Sequence, residues 1–527
     1  MSTLYQAFKE AIWRSYQSVF GLTRRIAHIR SETPAKSDED LKRESSDDVE
    51  ASSLHSPQNG SSVVVDPEGE RSYVRKLDFY LLPYLSLMYF FNAVDRSNLG
   101  NAKTDGIEKD LNFKGNEYSL LILLFYIPFG TLDLPLNLLT KKFSARWVLP
   151  TLMVVWGGIA TVQIASKNFA GILVLRLILG ACEAGFFAGV VFYFTLFYKR
   201  SELGFRVAIF FGSALLAAAF SGLISYGVFQ IEGTKLQGWQ WLMLIEGVLT
   251  VLVGVVAFWW LPASPATAWF LNDREKAAAL ARTLRDGSNK VDSKFDWKEC
   301  FTLWKDWKFV FWLSIAFNYP VAFATTSNFL PQIVQRLGYS VVKTNLWTVA
   351  PNAVGFVVLL ATAYSSDYFH ERTFHIVGAL ATSLVGMVIL IAIDVLENRE
   401  LAYFACFLMA AGAYTPSCLV QSWHNNNNLN ENSRAATTGL LVGLGNFAGI
   451  LSAATFRTEY APKYILTLIV TCCCNVLAMA SALILGGWMK LENRRRNKAQ
   501  GVNLQAQDVD TSELHHGEES PKFRFFT

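Results

Sequence analysis

Charge is scarce in this chain. Of its 527 residues, 17% are Asp, Glu, Lys or Arg, where a soluble globular protein carries about 25%. The formal net charge is +4, far short of the basic footprint of a nucleic-acid binder, so no nucleic-acid partner is expected. There are seven cysteines, and Cys182, Cys406, Cys418 and the run Cys472 to Cys474 lie in apolar stretches. There they act as small hydrophobes rather than as a disulfide framework. No Walker loop is present, so ATP-driven work has no motor in this chain. The sequence also has no Gly-x-Ser-x-Gly element ahead of a helix and no cluster with metal-ligand spacing. Enzyme chemistry, a metal and a cofactor are therefore not expected. No secretory h-region is visible.

What the chain has is apolar length: 52% of residues are hydrophobic and 14% aromatic. A membrane-spanning helix needs ~20 mostly apolar residues. Twelve stretches qualify: 78–98, 117–139, 147–166, 169–197, 205–230, 240–261, 309–332, 346–366, 374–394, 401–423, 436–456 and 464–489. The polar segment 263–308, with its charged helical stretch Asp273 to Arg285, divides them six and six. The fold class expected is an all-α membrane protein, with twelve transmembrane helices in two six-helix halves about a pseudo-two-fold axis. The domains read as a cytosolic tail (1–73), a first half (74–262), a cytosolic middle loop (263–308), a second half (309–490) and a second cytosolic tail (491–527).

The first tail reads as largely disordered, because Ser31 to Gly60 is rich in Ser, Asp, Glu and Lys. Its first 30 residues differ. Leu4, Phe8, Ile12, Tyr16 and Val19 recur at helical spacing beside Lys9, Arg14, Arg24 and Arg25. That pattern fits an interfacial helix, a transit-like segment or a weakly structured tail.

Lys and Arg placement sets the orientation. With the first tail inside, the inner side holds Arg71, Arg75, Lys76, Lys141, Lys142, Arg146, Lys199, Arg200, Arg206, Arg372, Arg434 and the cluster Lys490 to Lys498. The outer loops are poorer in basic residues. Both termini are expected in the cytosol of an integral membrane protein, with the plasma membrane as default and an internal membrane as the alternative.

A charge at mid-membrane costs at least ~2.5–3.5 kcal/mol, so each one calls for a partner or a purpose. The first span ends in Asp95 and Arg96. Asp95 can carry a proton, and Arg96 can hold an anion through its bidentate fork; the alternative is a plain helix cap. Arg176 and Glu183 lie seven residues apart in the fourth span, on one helical face, with Gly180, Gly185 and Gly189 among them. They can pair with each other or with the first span. Burial disfavours the charged form of Glu183 and suits it to proton coupling; the alternative is a static ion pair. Glu246 reads as a structural carboxylate in the sixth span. Asp133 and Asp367, each followed by basic residues (Arg372 for the second), read as duplicated gating or hinge contacts. Asn425 and Asn426, at the end of the tenth span, are candidate ligand donors, while Asn427 and Asn428 read as a polar cap. Asn318, Asn328 and Asn446 are further intramembrane amides, and His424 reads as structural.

At these residues the chain resembles the major facilitator superfamily, and within it the anion:cation symporter branch and the fungal allantoate permease group. The matching stretches are Asp95 to Ala102, Arg176 to Gly189, Gly238 to Leu242 with Glu246-Gly247, Leu261 to Pro265, Trp423 to Asn426, Arg434-Ala435 and Gly443 to Ile450. The resemblance covers about residues 74–492. It implies a twelve-helix carrier moving an organic anion with protons. It puts proton coupling on Asp95 and Glu183, and anion recognition on Arg96 with Arg176 in the same network. Ala188 stands where the family usually has Pro. The stretch Asp133 to Lys142 departs from the usual Gly- and Arg-rich loop pattern. The function expected is proton-coupled symport of a small carboxylate by alternating access, with organic anion, protons and lipid bilayer as partners of a monomer. The alternatives are an exporter of a fungal secondary metabolite, for which Phe186, Phe187, Phe192 and Phe194 are candidates but are expected mostly to face lipid, and a non-transporting nutrient receptor.

Overall fold

The computed structural model describes residues 66–527 apart from 116, 232–234, 287–294, 336–340, 456–463, 510–513, 515–517 and 519. The expectations for residues 1–65 and for the side chain of Asn328 lie outside the described residues. Among the described residues every regular element is helical. The main helices are α1 (Pro67–Lys76), α2 (Leu82–Thr104), α3 (Glu117–Thr131), α4 (Asp133–Phe143), α5 (Ala145–Val162), α6 (Phe169–Glu183), α7 (Phe186–Phe194), α8 (Leu203–Val228) and α9 (Gly238–Trp260). After α10 (Asp273–Asp286) come α11 (Lys308–Gln335), α12 (Val341–Tyr368), α13 (Thr373–Ala392), α14 (Arg399–Ala413), α15 (Thr415–Asn426), α16 (Glu431–Asn446), α17 (Ala448–Thr455) and α18 (Ile465–Gln500).

Ten described helical stretches are long and apolar enough to cross a membrane, and α3 with α4 makes an eleventh, bent by 42°. The 26 residues of α8 supply the twelfth span. Polar side chains set several helix starts. Asp66 accepts the Gly69 N–H ahead of Pro67, Asn168 accepts the Gly171 N–H, and Asn430 accepts the Ser433 N–H. Gly501, at φ 66°, ends α18.

Three spans are interrupted where they approach the centre. The second bends at Leu132 between α3 and α4. The fourth breaks at Ala184-Gly185, and the αL backbone of Gly185 (φ 74°) turns α6 into α7. A Cβ at Gly185 would meet Leu136 Cβ at 2.5 Å, so only glycine fits this corner. The eleventh breaks after Asn446. The break in the fourth span carries α7 into the protein interior. Phe186, Phe192 and Phe194 are buried rather than lipid-facing, which corrects the sequence expectation.

One face carries α1, α10 and residues 501–509 and 520–527, and we call it the loop face. There α1 docks on α10: Asp66 and Glu68 pair with Arg274, and Lys76 and Ser72 bond Glu275. Residues 520–527 fold back on the same face. Phe523, Phe525 and Phe526 are buried, Phe526 exchanges two hydrogen bonds with Asn427, and its carbonyl accepts from Trp423 Nε1 at 2.9 Å.

The two halves close on each other at this face. Along α4, Asn137 donates to the Ala435 carbonyl at 2.6 Å and Lys141 pairs with Glu431. Gly439 and Gly443 let α16 lie directly on α4; a Cβ on Gly443 would meet Gly130 O at 2.5 Å. At the same face, Asp367 accepts the Phe205 N–H at the start of α8 and pairs with buried Arg372, whose backbone N–H donates to the Thr527 carbonyl.

Candidate functional site

Behind this closure the halves part around a cavity with about 820 Å³ of atom-free space. The first half lines it with Tyr89, Asn92, Arg96, Tyr126, Phe129, Asp133, Glu183, Phe187 and Phe211. The second half contributes Tyr319, Phe323, Ser327, Ser417 and Asn446. The walls thus combine seven aromatic side chains with small and apolar residues, and a few polar groups converge between them, the usual make-up of a small-molecule site.

One cation and one carboxylate dominate the first half's wall. Arg96 Nη2 lies 3.5 Å from Glu183 Oε2 and donates to Asn92 Oδ1 at 3.0 Å. Asn92 is four residues before Arg96 on α2, so one helical turn presents both to the cavity. The guanidinium also sits 4.5 Å from the Phe129 ring centroid. One third of the Arg96 side chain is exposed, against none of Glu183. The cation therefore faces the cavity and the carboxylate stands behind it. At 3.5 Å the pair is an ion pair without a short hydrogen bond, an arrangement in which a competing anion can replace Glu183.

The remaining predicted residues take other places. Asp95 points away from the cavity into the first half, where its Oδ2 accepts from Thr250 Oγ1 at 2.9 Å and Trp156 Nε1 at 3.2 Å. Arg176 is buried two turns before Glu183, with Glu183 and Asp95 the carboxylates acting on it. Glu246 is buried near Asp95, with Asn98 as its side-chain neighbour. Asp95, Arg176 and Glu246 thus form a charged cluster behind the cavity wall rather than on it.

Asn425 and Asn426 are not in the cavity. Asn425 donates to the Gln421 carbonyl and accepts from Thr438, and the Asn426 carbonyl accepts from Arg200. The sequence put them at the end of the tenth span, and there they are the last two residues of α15, buried among protein groups and absent from the cavity lining. His424 is buried with its ring edge-on to Trp312. Asp133, Gly185 and Asn446 meet at the cavity floor. Tyr89, Asn92, Tyr126, Phe129 and Tyr319 were not singled out as site residues; only Tyr89 and Asn92, seven and four residues before Arg96, left a usable signal.

The profile of the Major Facilitator Superfamily matches residues 85–453. The chain belongs to this superfamily. The major facilitator-type transporter hxnP of Emericella nidulans is 60% identical over 470 residues, covering 88% of this chain and 95% of its own. The MFS-type transporter efuF of Hormonema carpetanum is 51% identical, covering 85% of this chain and 90% of its own. Among solved structures, the proton:xylose symporter XylE matches with a TM-score of 0.61 at 14% identity, over 78% of this chain and 95% of XylE. The E. coli fucose:proton symporter FucP matches at 0.54 and 12%, over 77% and 99%. At such identities these structures speak for the fold alone. The protein is a multi-pass membrane transporter and not an enzyme.

Proposed function

We infer that the protein is a proton-coupled symporter of a small organic anion, of the anion:cation symporter branch and allantoate permease-like. The observation that carries this reading is the Arg96–Glu183 pair on the wall of the central cavity. A proton on Glu183 cancels its charge and leaves Arg96 with an unbalanced positive charge facing the cavity. The carboxylate of the substrate then takes the place of Glu183 on the guanidinium fork. The aromatic walls suit the apolar body of such an acid. Opening at the loop face releases anion and proton together. Asp95, Arg176 and Glu246 lie behind the wall and form the polar surroundings of the pair. The excess of Lys and Arg on the loop face makes that face cytosolic, with the plasma membrane as the location and one chain as the working unit.

Export is the second reading, favoured by the aromatic walls, which also accommodate a larger apolar compound. The test for both is a panel of radiolabelled organic acids offered to cells expressing the chain at several external pH values. Symport predicts uptake of at least one acid that rises as external pH falls. Export predicts no such uptake and greater retention of the substrate in cells lacking the chain.

A further inference from the structure

Three interrupted spans meet at one carboxylate. Asp133 is the first residue of α4, immediately after the bend of the second span. Its Oδ1 accepts the N–H of Gly185, the αL corner that breaks the fourth span, at 3.0 Å. Its Oδ2 accepts from Asn446 Nδ2, the last residue of α16 before the eleventh span breaks, at 2.6 Å. Gly185 and the Asp133 backbone belong to the first half, whereas Asn446 belongs to the second. Asp133 is 1% exposed, yet it borders the cavity floor.

Helix bends and breaks are the places where a span can change direction, and the i to i−4 bonds that run up to them, such as Leu132 N–H to Pro128 and Ala184 N–H to Gly180, keep the segments on either side helical. Tying two of them to the bend of a third makes their positions interdependent. The neighbouring contacts of α4 depend on that alignment, since Asn137 and Lys141 follow Asp133 at i+4 and i+8 on the same face and reach Ala435 and Glu431. We propose that Asp133 is a positioning residue that fastens the loop face shut, joining the broken fourth and eleventh spans to the bent second span across the two halves. Opening at that face must part Asp133 from Asn446 first, after which α4 and α16 separate along the remaining contacts. The inference rests on the alternating-access part of the function above, and on neither the substrate nor the proton.

The test needs no substrate. Spin labels go on the exposed positions Lys142→Cys and Arg495→Cys, one per half at the loop face, in full-length protein whose seven native cysteines are replaced by serine. Distances are read by double electron–electron resonance in lipid nanodiscs. Asp133→Ala is expected to raise the ratio of long to short distances roughly tenfold, as expected for a lost hydrogen bond to a charged group. Asn446→Ala is expected to raise it in the same direction. The double variant is expected to match Asp133→Ala, because both act on one bond. An unchanged distribution in Asn446→Ala, or effects that simply multiply in the double variant, overturns the proposal. Should Asp133→Ala not fold, Asn446→Ala alone decides by the same criterion. If no organic acid is ever taken up but the distances shift as described, the substrate reading fails and this one stands.

Discussion

Arg96 lines the central cavity with its side chain one-third exposed, and Glu183 stands fully shielded behind it, with 3.5 Å between Nη2 and Oε2. The cation is therefore the group a solute meets, and the carboxylate is its removable counter-charge.

Arg96→Lys keeps the charge and removes the planar fork. Lysine cannot bond Asn92, Glu183 and a substrate carboxylate from one rigid plane. Loss of a charge-assisted hydrogen bond of about 1.5–3 kcal/mol raises the apparent KM for uptake by roughly 10- to 100-fold. Initial-rate uptake across substrate concentrations checks this, and an unchanged KM speaks against direct anion contact.

Gly443→Leu should hold the loop face open. A Cβ there already meets Gly130 O at 2.5 Å, and backbone cannot yield as a flexible side chain can. Thiol labelling of a cysteine placed at Asn137, buried in the closed face, is expected to speed up in this variant relative to the same cysteine in otherwise unaltered protein.

The twelve-span plan was legible because it rests on apolar length, which a sequence shows directly. Arg96 and Glu183 were legible for a related reason: charge inside an apolar run is conspicuous. Which of the buried charges face the cavity was not. Asp95 adjoins Arg96 in sequence, but adjacent positions on a helix point about 100° apart, so one lines the cavity and the other turns toward Thr250 and Trp156. Asn425 and Asn426 end α15 and pack under the loop face; polarity at the end of a span does not show which neighbours it packs against. In the stretch Asp133 to Lys142, Asp133 was read as a gating contact, but Asn137 and Lys141, which join the halves through Ala435 and Glu431, carried no such signal.

The dock of α1 on α10 should weaken in acid. The Arg274 guanidinium holds the Asp66 carboxyl down at about 2, and the Gly69 N–H adds to the effect. Burial pushes Glu275 upward, but bonds from Lys76, Ser72 and the Asn272 N–H outweigh it and leave the group below its ordinary value. Both groups favour the ionised, docked form, so their contribution is complete above the ordinary carboxylate range and is lost as pH falls toward about 2. Hydrogen exchange of the α1 amides, corrected for intrinsic rate, should be faster at about pH 3 than at about pH 6. Equal protection at both values contradicts the assignment.

Removing residues 521–527 should destabilise the loop face. Phe523, Phe525 and Phe526 are each no more than 2% exposed, and burying a phenylalanine contributes about 1.5–3 kcal/mol at most. The truncated protein is expected to unfold several degrees lower in detergent, with Trp423, which bonds the Phe526 carbonyl, more open to an aqueous quencher.

The central claim, that Glu183 carries the coupling proton, is tested most directly by Glu183→Gln in proteoliposomes, with an organic acid found to be a substrate. Glutamine keeps the shape and cannot ionise, so Arg96 stays available while the proton has no carrier. Exchange of labelled for unlabelled substrate is expected to persist, and accumulation driven by an inwardly directed proton gradient is expected to be abolished. Accumulation that survives in this variant contradicts the claim.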